Sequence, residues 1–336
     1  MTSEPTEDAR HMAHALRLAR RGLGNVWPNP AVGCVLLREG RVVGRGWTQP
    51  GGRPHAERMA LDAAGSLARG ATAYVTLEPC AHHGRTPPCA SGMVQAGVTR
   101  VVTALTDPDP RVAGRGHAML RAAGVALTEG VMAAQASELQ AGFLLRITQG
   151  RPFVTLKLAS SLDGRIAMAS GESRWITGPA ARAHVHALRA QHDAIMVGGA
   201  TARADLPQLN VRGINTPLQP VRIVVSDQAL PALAPQGPDH GPLWRVSGEP
   251  ARIMADLAGR GITRVFCEGG GRLAASLLVA GLVDQLIGYT AGLALGAEAR
   301  PFLGPTGWTH LAEAPRFALA ETRAIGPDLF HRWRRV

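Results

Sequence analysis

His55-Ala56-Glu57, followed by Leu77-Glu78-Pro79-Cys80-Ala81-His82-His83-Gly84-Arg85-Thr86-Pro87-Pro88-Cys89, is the stretch on which the reading of this chain turns. Ala71–Leu77 is an apolar strand running into Glu78-Pro79-Cys80. His55 starts a helix that extends to Gly65, and Cys89 stands at the start of the next, Ala90–Ala96. Strand and helix in alternation imply a sheet with helices packed on it. Helix N-termini favour anionic thiolates and lower their pKa. One imidazole and two thiolates form a ligand set for Zn²⁺, and three protein ligands leave a fourth position for water. Glu57, two residues from His55, is a carboxylate that need not touch the metal.

Outward from this stretch the α/β alternation continues. Ala31–Leu37 and Arg41–Trp47 read as strands joined at Arg38-Glu39-Gly40, Arg100–Leu105 as a strand, and Gly116–Ala123 as a helix ending at Gly124. Val131–Thr148 reads as a connecting helix. Gln149-Gly150-Arg151-Pro152 then breaks the chain, so the boundary falls between 1–149 and 150–336. Two domains suit 336 residues at about 100–200 residues each. The second half restarts with a strand, Phe153–Ala159. A helix (Pro179–Ala190), two strands (Ala194–Val197, Val221–Val225), a further strand (Leu243–Val246), a helix (Pro250–Gly259), a strand (Ile262–Cys267) and a helix (Arg272–Ala280) follow. Gln228–Gly241 is Pro-rich and reads as a surface loop.

No stretch approaches the ~18 uninterrupted apolar residues of a membrane span. The polar, acid-bearing start Met1–Arg10 lacks the features of a signal peptide, and four cysteines do not make a disulfide framework; both suit the cytoplasm. The net charge is +11, but the arginines are scattered and few aromatics exist for base stacking, so nucleic acid is not the expected partner. Phosphorylated small molecules suit the positive field. Lys157 is the only lysine among 36 basic residues. In a composition so biased to arginine, a surviving lysine is either a chance survivor or, as the motif around it favours, a place where a compact ammonium is needed.

A His-x-Glu with a later Pro-Cys and a second Cys is the signature of zinc-dependent deaminases, in which the glutamate serves as acid and base. A closed structural zinc site is the rival reading, with His82 or His83 as fourth ligand; it leaves Glu57 without a task. Asn29-Pro30-Ala31-Val32-Gly33, His55-Ala56-Glu57, the Glu78–Cys89 run with His82, Gly84 and Thr86-Pro87-Pro88, and Asp107-Pro108 together resemble the deaminase half of the bifunctional RibD family of riboflavin biosynthesis. The resemblance implies a cytidine-deaminase-like three-layer fold, zinc on His55, Cys80 and Cys89, Glu57 as catalytic residue, and substrate contacts from Asn29, His82, Arg85 and Asp107. The family commonly has lysine where Arg85 stands, and Asp-Pro-Asn-Pro where this chain has Asp107-Pro108-Asp109-Pro110. Cys34, in an apolar strand, reads as packing.

Glu268-Gly269-Gly270-Gly271 follows an apolar strand and opens a helix, an arrangement that lets backbone N–H groups approach a phosphate. Phe153–Gly164, Ser173-Arg174-Trp175-Ile176-Thr177-Gly178, and Gly198-x-x-Thr201-x-x-x-Asp205-x-Pro207-x-Leu209-x-x-Arg212 accompany it. These segments resemble the RibD reductase half, a dihydrofolate-reductase-like α/β domain. The resemblance implies NADPH contacts from Ala159, Trp175, Thr201, Asp205, Gly270, Gly271, Arg272, Leu273, Ala274, Ala275 and Ser276. It implies contacts to a ribose phosphate substrate from Ser173, Arg189, Leu209, Arg212 and Glu268. Lys157 and Glu268 are the catalytic candidates. On residue type alone Trp175 could equally be a core aromatic. Leu206 stands where the family often has a second Asp, and Ser226-Asp227 is inverted relative to its usual Asp-Ser.

The resemblance spans about Glu7 to the C-terminus. It implies a homo-oligomeric enzyme that deaminates 2,5-diamino-6-(ribosylamino)-4(3H)-pyrimidinone 5′-phosphate and then reduces the ribosyl group of the product to ribityl with NADPH. The alternatives are a nucleic-acid or nucleoside deaminase with an accessory nucleotide-binding domain, a non-enzymatic zinc-stapled nucleotide binder, and an enzyme with one half decayed.

Overall fold

The computed structural model describes residues 6–82, 87–229 and 239–336. The chain divides into two compact units, Met1–Gln149 and Gly150–Val336. Arg85 and most of the expected loop Gln228–Gly241 lie outside the described residues.

The first unit runs α1 (Glu7–Ala19), β1 (Gly33–Arg38), β2 (Arg41–Trp47), α2 (Ala56–Ala64), β3 (Thr72–Val75), α3 (Cys89–Gln95), β4 (Arg100–Thr103), α4 (Arg115–Ala122), β5 (Ala126–Thr128) and α5 (Ala133–Gln149). The sheet order is β2-β1-β3-β4-β5, with β3, β4 and β5 parallel and β1 antiparallel to both its neighbours. Successive strand residues face opposite sides. Cys34, Leu36, Ala73, Val75 and Val101 therefore pack against Ala56, Ala60, Met93 and Leu120 on one side. Val35, Leu37, Tyr74 and Val102 meet Met12, Ala15, Leu16 and Ala19 of α1 on the other. Helices on both faces of one sheet make three layers. The Cys34 thiol has no exposed surface, and burial pushes it well above its ordinary pKa, as expected of a packing residue.

The second unit runs β6 (Phe153–Ser161), β7 (Arg165–Ala167), α6 (Pro179–Arg189), β8 (Ala194–Gly198), α7 (Gly199–Asp205), β9 (Val221–Val225), β10 (Leu243–Val246), α8 (Pro250–Gly259), β11 (Arg264–Gly269), α9 (Gly271–Val279), β12 (Gln285–Ala291), β13 (Arg300–Pro301), β14 (Phe317–Ile325) and β15 (Asp328–Arg335). Eight strands form one sheet in the order β10-β9-β8-β11-β6-β12-β15-β14. It is parallel from β10 to β12 and antiparallel from β12 through β15 to β14. β7 and β13 form a separate ribbon. Ala181, Val185 and Leu188 of α6 cover Phe266, Ile287 and Tyr289 of the sheet. No helix among the described residues is long and apolar enough to cross a membrane.

Candidate active sites

In the first unit, α2 is held tightly against β2. A β-carbon at Gly44 or Gly46 would lie 2.2 Å from the carbonyl oxygens of Ala60 and Ala56 respectively, so the backbones touch only because these strand positions have no side chain. This contact fixes His55, the N-cap residue of α2, and Glu57 in its first turn. Cys89 is the first residue of α3, and its backbone N–H donates to Cys80 Sγ at 3.3 Å.

His55 Nδ1 lies 3.4 Å from Cys89 Sγ and 3.8 Å from Cys80 Sγ. Zn–S and Zn–N bonds of ~2.3 and ~2.0 Å at a tetrahedral angle require an S···N edge of roughly 3.5 Å. The triangle therefore fits a zinc ion, and the donor set is the right one. His55, Cys80 and Cys89 are also the only group of metal-binding residues among those described. The Cys80 thiol is held down to about 4, first by its hydrogen bond with Cys89 and then by His55, while Cys89 is pushed far up by the same pairing. Two sulfurs sharing one proton are ready to exchange it for a cation. Glu57 is 4% exposed and is not one of the three clustered donors; burial pushes it up to about 7, against the pull of His55.

Around this triangle, Asn29 packs against Gly52, three residues before His55. His82 Nδ1 is buried without a hydrogen-bond partner among the described residues. Asp107 is buried and raised to about 6, chiefly by that burial, and accepts from the Asp109 N–H at 2.8 Å. The Asp109 carboxylate is occupied by Arg111, whose Nε donates to it at 2.9 Å and whose Nη2 donates at 2.5 Å. Asp109 therefore brings its own counter-ion in place of the amide common in the family.

Sequence reasoning gave Glu78 no role. Its buried carboxylate accepts from the N–H groups of Asp107 (3.1 Å), Gly114 (2.9 Å), Gly116 (2.9 Å) and His117 (3.1 Å). It ties the loop after β4 and the start of α4 to the residue pair Pro79-Cys80. Its burial next to Pro79-Cys80 was invisible because the four donors come from a segment about 30 to 40 residues away.

In the second unit, a cavity of about 720 Å³ opens at the carboxyl ends of the parallel strands. Its wall brings together Lys157, Ala159, Ser173, Trp175, Arg189, Thr201, Asp205, Leu209, Arg212, Glu268 and Gly270. Lys157 Nζ is 4.0 Å from Glu268 Oε2, and Arg189 Nε donates to Glu268 Oε1 at 2.5 Å. Burial alone would raise Glu268; Arg189 and Lys157 outweigh it and keep the carboxylate below its ordinary range. Burial lowers Lys157, opposed by Glu268. Two cations around one carboxylate leave a net positive floor.

Gly271, Arg272, Leu273, Ala274, Ala275 and Ser276 do not line this cavity. They form the first turns of α9; Ala274 and Ala275 face the core, and Ser276 Oγ donates back to the Leu273 carbonyl. α9 reaches the cavity through Gly269 and Gly270, both at positive φ, with Gly270 so close to Thr201 that a β-carbon would lie 2.7 Å from its hydroxyl. The core reading of Trp175 is excluded: the ring is 68% exposed, with the Arg182 guanidinium 4.5 Å above it. Leu206, at φ 44°, holds a backbone conformation that suits an aspartate better. His186 was also missed; its Nδ1 accepts the Arg212 N–H at 3.1 Å on the cavity wall.

The family model for the RibD C-terminal domain matches residues 152–331. That for the cytidine and deoxycytidylate deaminase zinc-binding region matches residues 5–105. Riboflavin biosynthesis protein RibD of Escherichia coli is 44% identical, over 96% of this chain and 98% of its own length.

The chain belongs to the RibD family.

The RibD of Haemophilus influenzae is likewise 44% identical, over 96% of each chain. Among solved structures, Acinetobacter baumannii RibD superposes with a TM-score of 0.89 at 39% identity, covering 98% of this chain and 99% of that one. A Thermotoga maritima diaminohydroxyphosphoribosylaminopyrimidine deaminase/5-amino-6-(5-phosphoribosylamino)uracil reductase gives 0.86 at 32% identity, with the same coverage. As a RibD family member the chain is a bifunctional deaminase and reductase of riboflavin biosynthesis, using zinc and NADPH.

Proposed function

We propose that the first unit deaminates 2,5-diamino-6-(ribosylamino)-4(3H)-pyrimidinone 5′-phosphate. The second unit then reduces 5-amino-6-(5-phosphoribosylamino)uracil to its ribitylamino counterpart. The observation that carries the reading is the pairing, on one chain, of a His55-Cys80-Cys89 triangle beside a buried Glu57 with a cationic cavity centred on Lys157 and Glu268.

In the first unit, His55, Cys80 and Cys89 would hold the zinc, which when bound makes water a competent nucleophile near neutral pH. Glu57 is placed to accept a proton from the attacking water and to return one to the ring amino group, which leaves as ammonia when its C–N bond breaks. Its burial supports this shuttle, because a carboxylate raised towards neutrality gives and takes protons with equal ease. Asn29, His82, Arg85 and Asp107 bind the base and ribose phosphate. His82 Nδ1, which has no hydrogen-bond partner among the described residues, supports a contact there.

In the second unit, NADPH when bound would supply the hydride for C1′ of the substrate, whose ribosyl ring opens to the imine by breaking C1′–O4′, with O4′ taking up a proton. Arg189 and Arg212 face the ribose phosphate, and a guanidinium fork suits its oxygens. Ser173 and Leu209 complete that wall. Lys157 polarises the reacting end while Glu268 orients it and manages the proton. Ala159, Trp175, Thr201, Asp205 and Gly270 contact the cofactor, with the first turn of α9 (Gly271 to Leu273) offering backbone N–H groups and the helix dipole to its phosphates. We read the enzyme as a cytoplasmic homo-oligomer that acts on phosphorylated small molecules rather than nucleic acid; light scattering of the purified protein checks the assembly.

The experiment is NADPH oxidation by wild type and Glu57→Ala, supplied with the diaminopyrimidine ribose phosphate. Oxidation should vanish in the mutant, with its zinc content unchanged, and return when the deaminated compound is added. No oxidation by wild type with either compound would reject the reductase half of the reading.

A further inference from the structure

Ring opening leaves one proton in need of a donor. When C1′–O4′ breaks, its electron pair stays on O4′, and an acid at that oxygen lowers the barrier. Against the opposing effect of burial, Arg189 and Lys157 hold Glu268 ionised, so it can take a proton but starts with none to give. His186 accepts the Arg212 N–H at Nδ1, which leaves a neutral imidazole whose remaining N–H is far too weak an acid.

Tyr289 lines the same cavity. It lies on β12, beside β6, opposite Ala159, while Ile287 is the partner of Lys157. Two residues apart, Ile287 and Tyr289 share the sheet face that α6 covers, and so does Lys157. The Cα atoms of Lys157 and Tyr289 are then roughly 8 Å apart, a gap that a ribose ring fills. The surroundings of the phenol decide which way its proton goes. Arg323 of β14 donates from Nη2 to His184 Nε2 at 3.1 Å. A guanidinium cannot accept, so Nε2 carries the lone pair of this imidazole and Nδ1 its proton. Burial first, and Arg323 second, lower the His184 pKa, which keeps the ring neutral. Its Nδ1–H therefore donates to the Tyr289 oxygen at 2.7 Å. The proton of the phenol itself has no acceptor among the described residues, although the residue is only 1% exposed. A buried hydroxyl left without an acceptor is costly, and a ligand oxygen in the cavity would supply one. Burial first, and the Glu268 charge second, push the phenol far above its ordinary pKa, so the proton stays until an alkoxide forms beside it.

We propose that Tyr289 is the proton donor to O4′ in the ring-opening step of the reduction. This rests on the reading of the second unit as a reductase of the phosphoribosylamino compound. As C1′–O4′ breaks, the phenol proton passes to O4′ and the nitrogen lone pair closes C1′=N. The amine proton goes to Glu268 and returns to nitrogen when C1′ receives the hydride. The phenolate is held by the His184 N–H, which passes it the Nδ1 proton while Nε2, on the exposed side, takes one from solvent. One hydride and one solvent proton are consumed, and the protein ends as it began.

The test uses the full-length protein and the deaminated compound. Tyr289→Phe keeps the ring that packs on Phe330 and His184 and removes only the hydroxyl. Its kcat for reduction should fall on the order of 100-fold, with KM and deamination unchanged. With NADPH deuterated at C4 of the nicotinamide, the isotope effect on kcat should fall towards unity, because ring opening becomes the slow step. The chain has two tyrosines, so in protein labelled with ¹³C at the phenol carbon Tyr74 serves as the reference. Saturating wild type with the deaminated compound alone should shift the Tyr289 resonance and leave Tyr74 in place. A Tyr289→Phe rate within about threefold of wild type overturns the proposal. So does a loss of rate with an unchanged or larger isotope effect, which marks a displaced nicotinamide, and so does an unmoved Tyr289 resonance, a result that holds even if the variant fails to fold. Wild type that oxidises no NADPH on the deaminated compound rejects the reductase reading itself, and the proposal with it.

Discussion

Lys157 and Glu268 show how far a single residue could be read in advance. The lysine stood out because it is the only one in an arginine-rich chain, and the glutamate because it precedes three glycines after a strand. Their 4.0 Å separation required the parallel pairing of β6 with β11. Arg189 approaches the same carboxylate from α6, so an arginine at position 157 would put a second broad guanidinium where a compact ammonium fits. Lys157→Arg should therefore cut the rate of reduction on the order of 10- to 100-fold with deamination unchanged; near-wild-type NADPH oxidation on the deaminated compound would sink this role. His186 could not be found in this way. It is one of twelve histidines, and only the docking of α6 turns it towards the cavity.

Two elements are held by buried polar groups whose loss is measurable. Glu78 joins the loop after β4 and the start of α4 to Pro79-Cys80 through four N–H donors. Glu78→Gln replaces one accepting oxygen by an amide that faces two of these donors. It should cost about 2–4 kcal/mol and lower zinc retention during dialysis; a protein with unchanged melting temperature and zinc content would contradict this. His192, just after α6, is 5% exposed, with Nδ1 donating to the Leu188 carbonyl at 2.8 Å and Nε2 accepting from the Thr155 hydroxyl at 3.0 Å. Burial first, and Arg264 second, push its pKa down to about 3 from the ordinary 6.5. Below pH 6.5 the unfolded chain therefore binds a proton that the folded chain refuses, so stability falls as the pH drops from there towards 3. By pH 5 this histidine should remove about 2 kcal/mol. In urea unfolding, His192→Gln should shrink the stability difference between pH 7 and pH 5 by that amount, and an unchanged difference would refute the assignment. Most elements were legible because their apolar runs and breakers are strong. α1 escaped notice although Met12, Ala15, Leu16 and Ala19 carry helical spacing, because the segment begins in polar residues. β14 is exposed along most of both faces and has no burial pattern to read.

For the whole molecule, the two compact units imply separable chemistries. Stripping the metal with a chelator should abolish deamination while NADPH-dependent reduction of the deaminated compound continues; parallel loss of both activities would argue against separate sites. The sequence by itself determined the α/β class, the family and the His55-Cys80-Cys89 donor set that the structure brings together, because these depend on residue types at short spacings that local structure preserves. Only the tertiary structure decided that Glu78 ties the loops around the zinc triangle, that Trp175 is an exposed shelf rather than core, and that α9 reaches the cavity through Gly269-Gly270 while Ala274 and Ala275 face the core. Each of these depends on which face an element turns to partners far along the chain. Strand order and helix docking set that choice, and no local pattern encodes it.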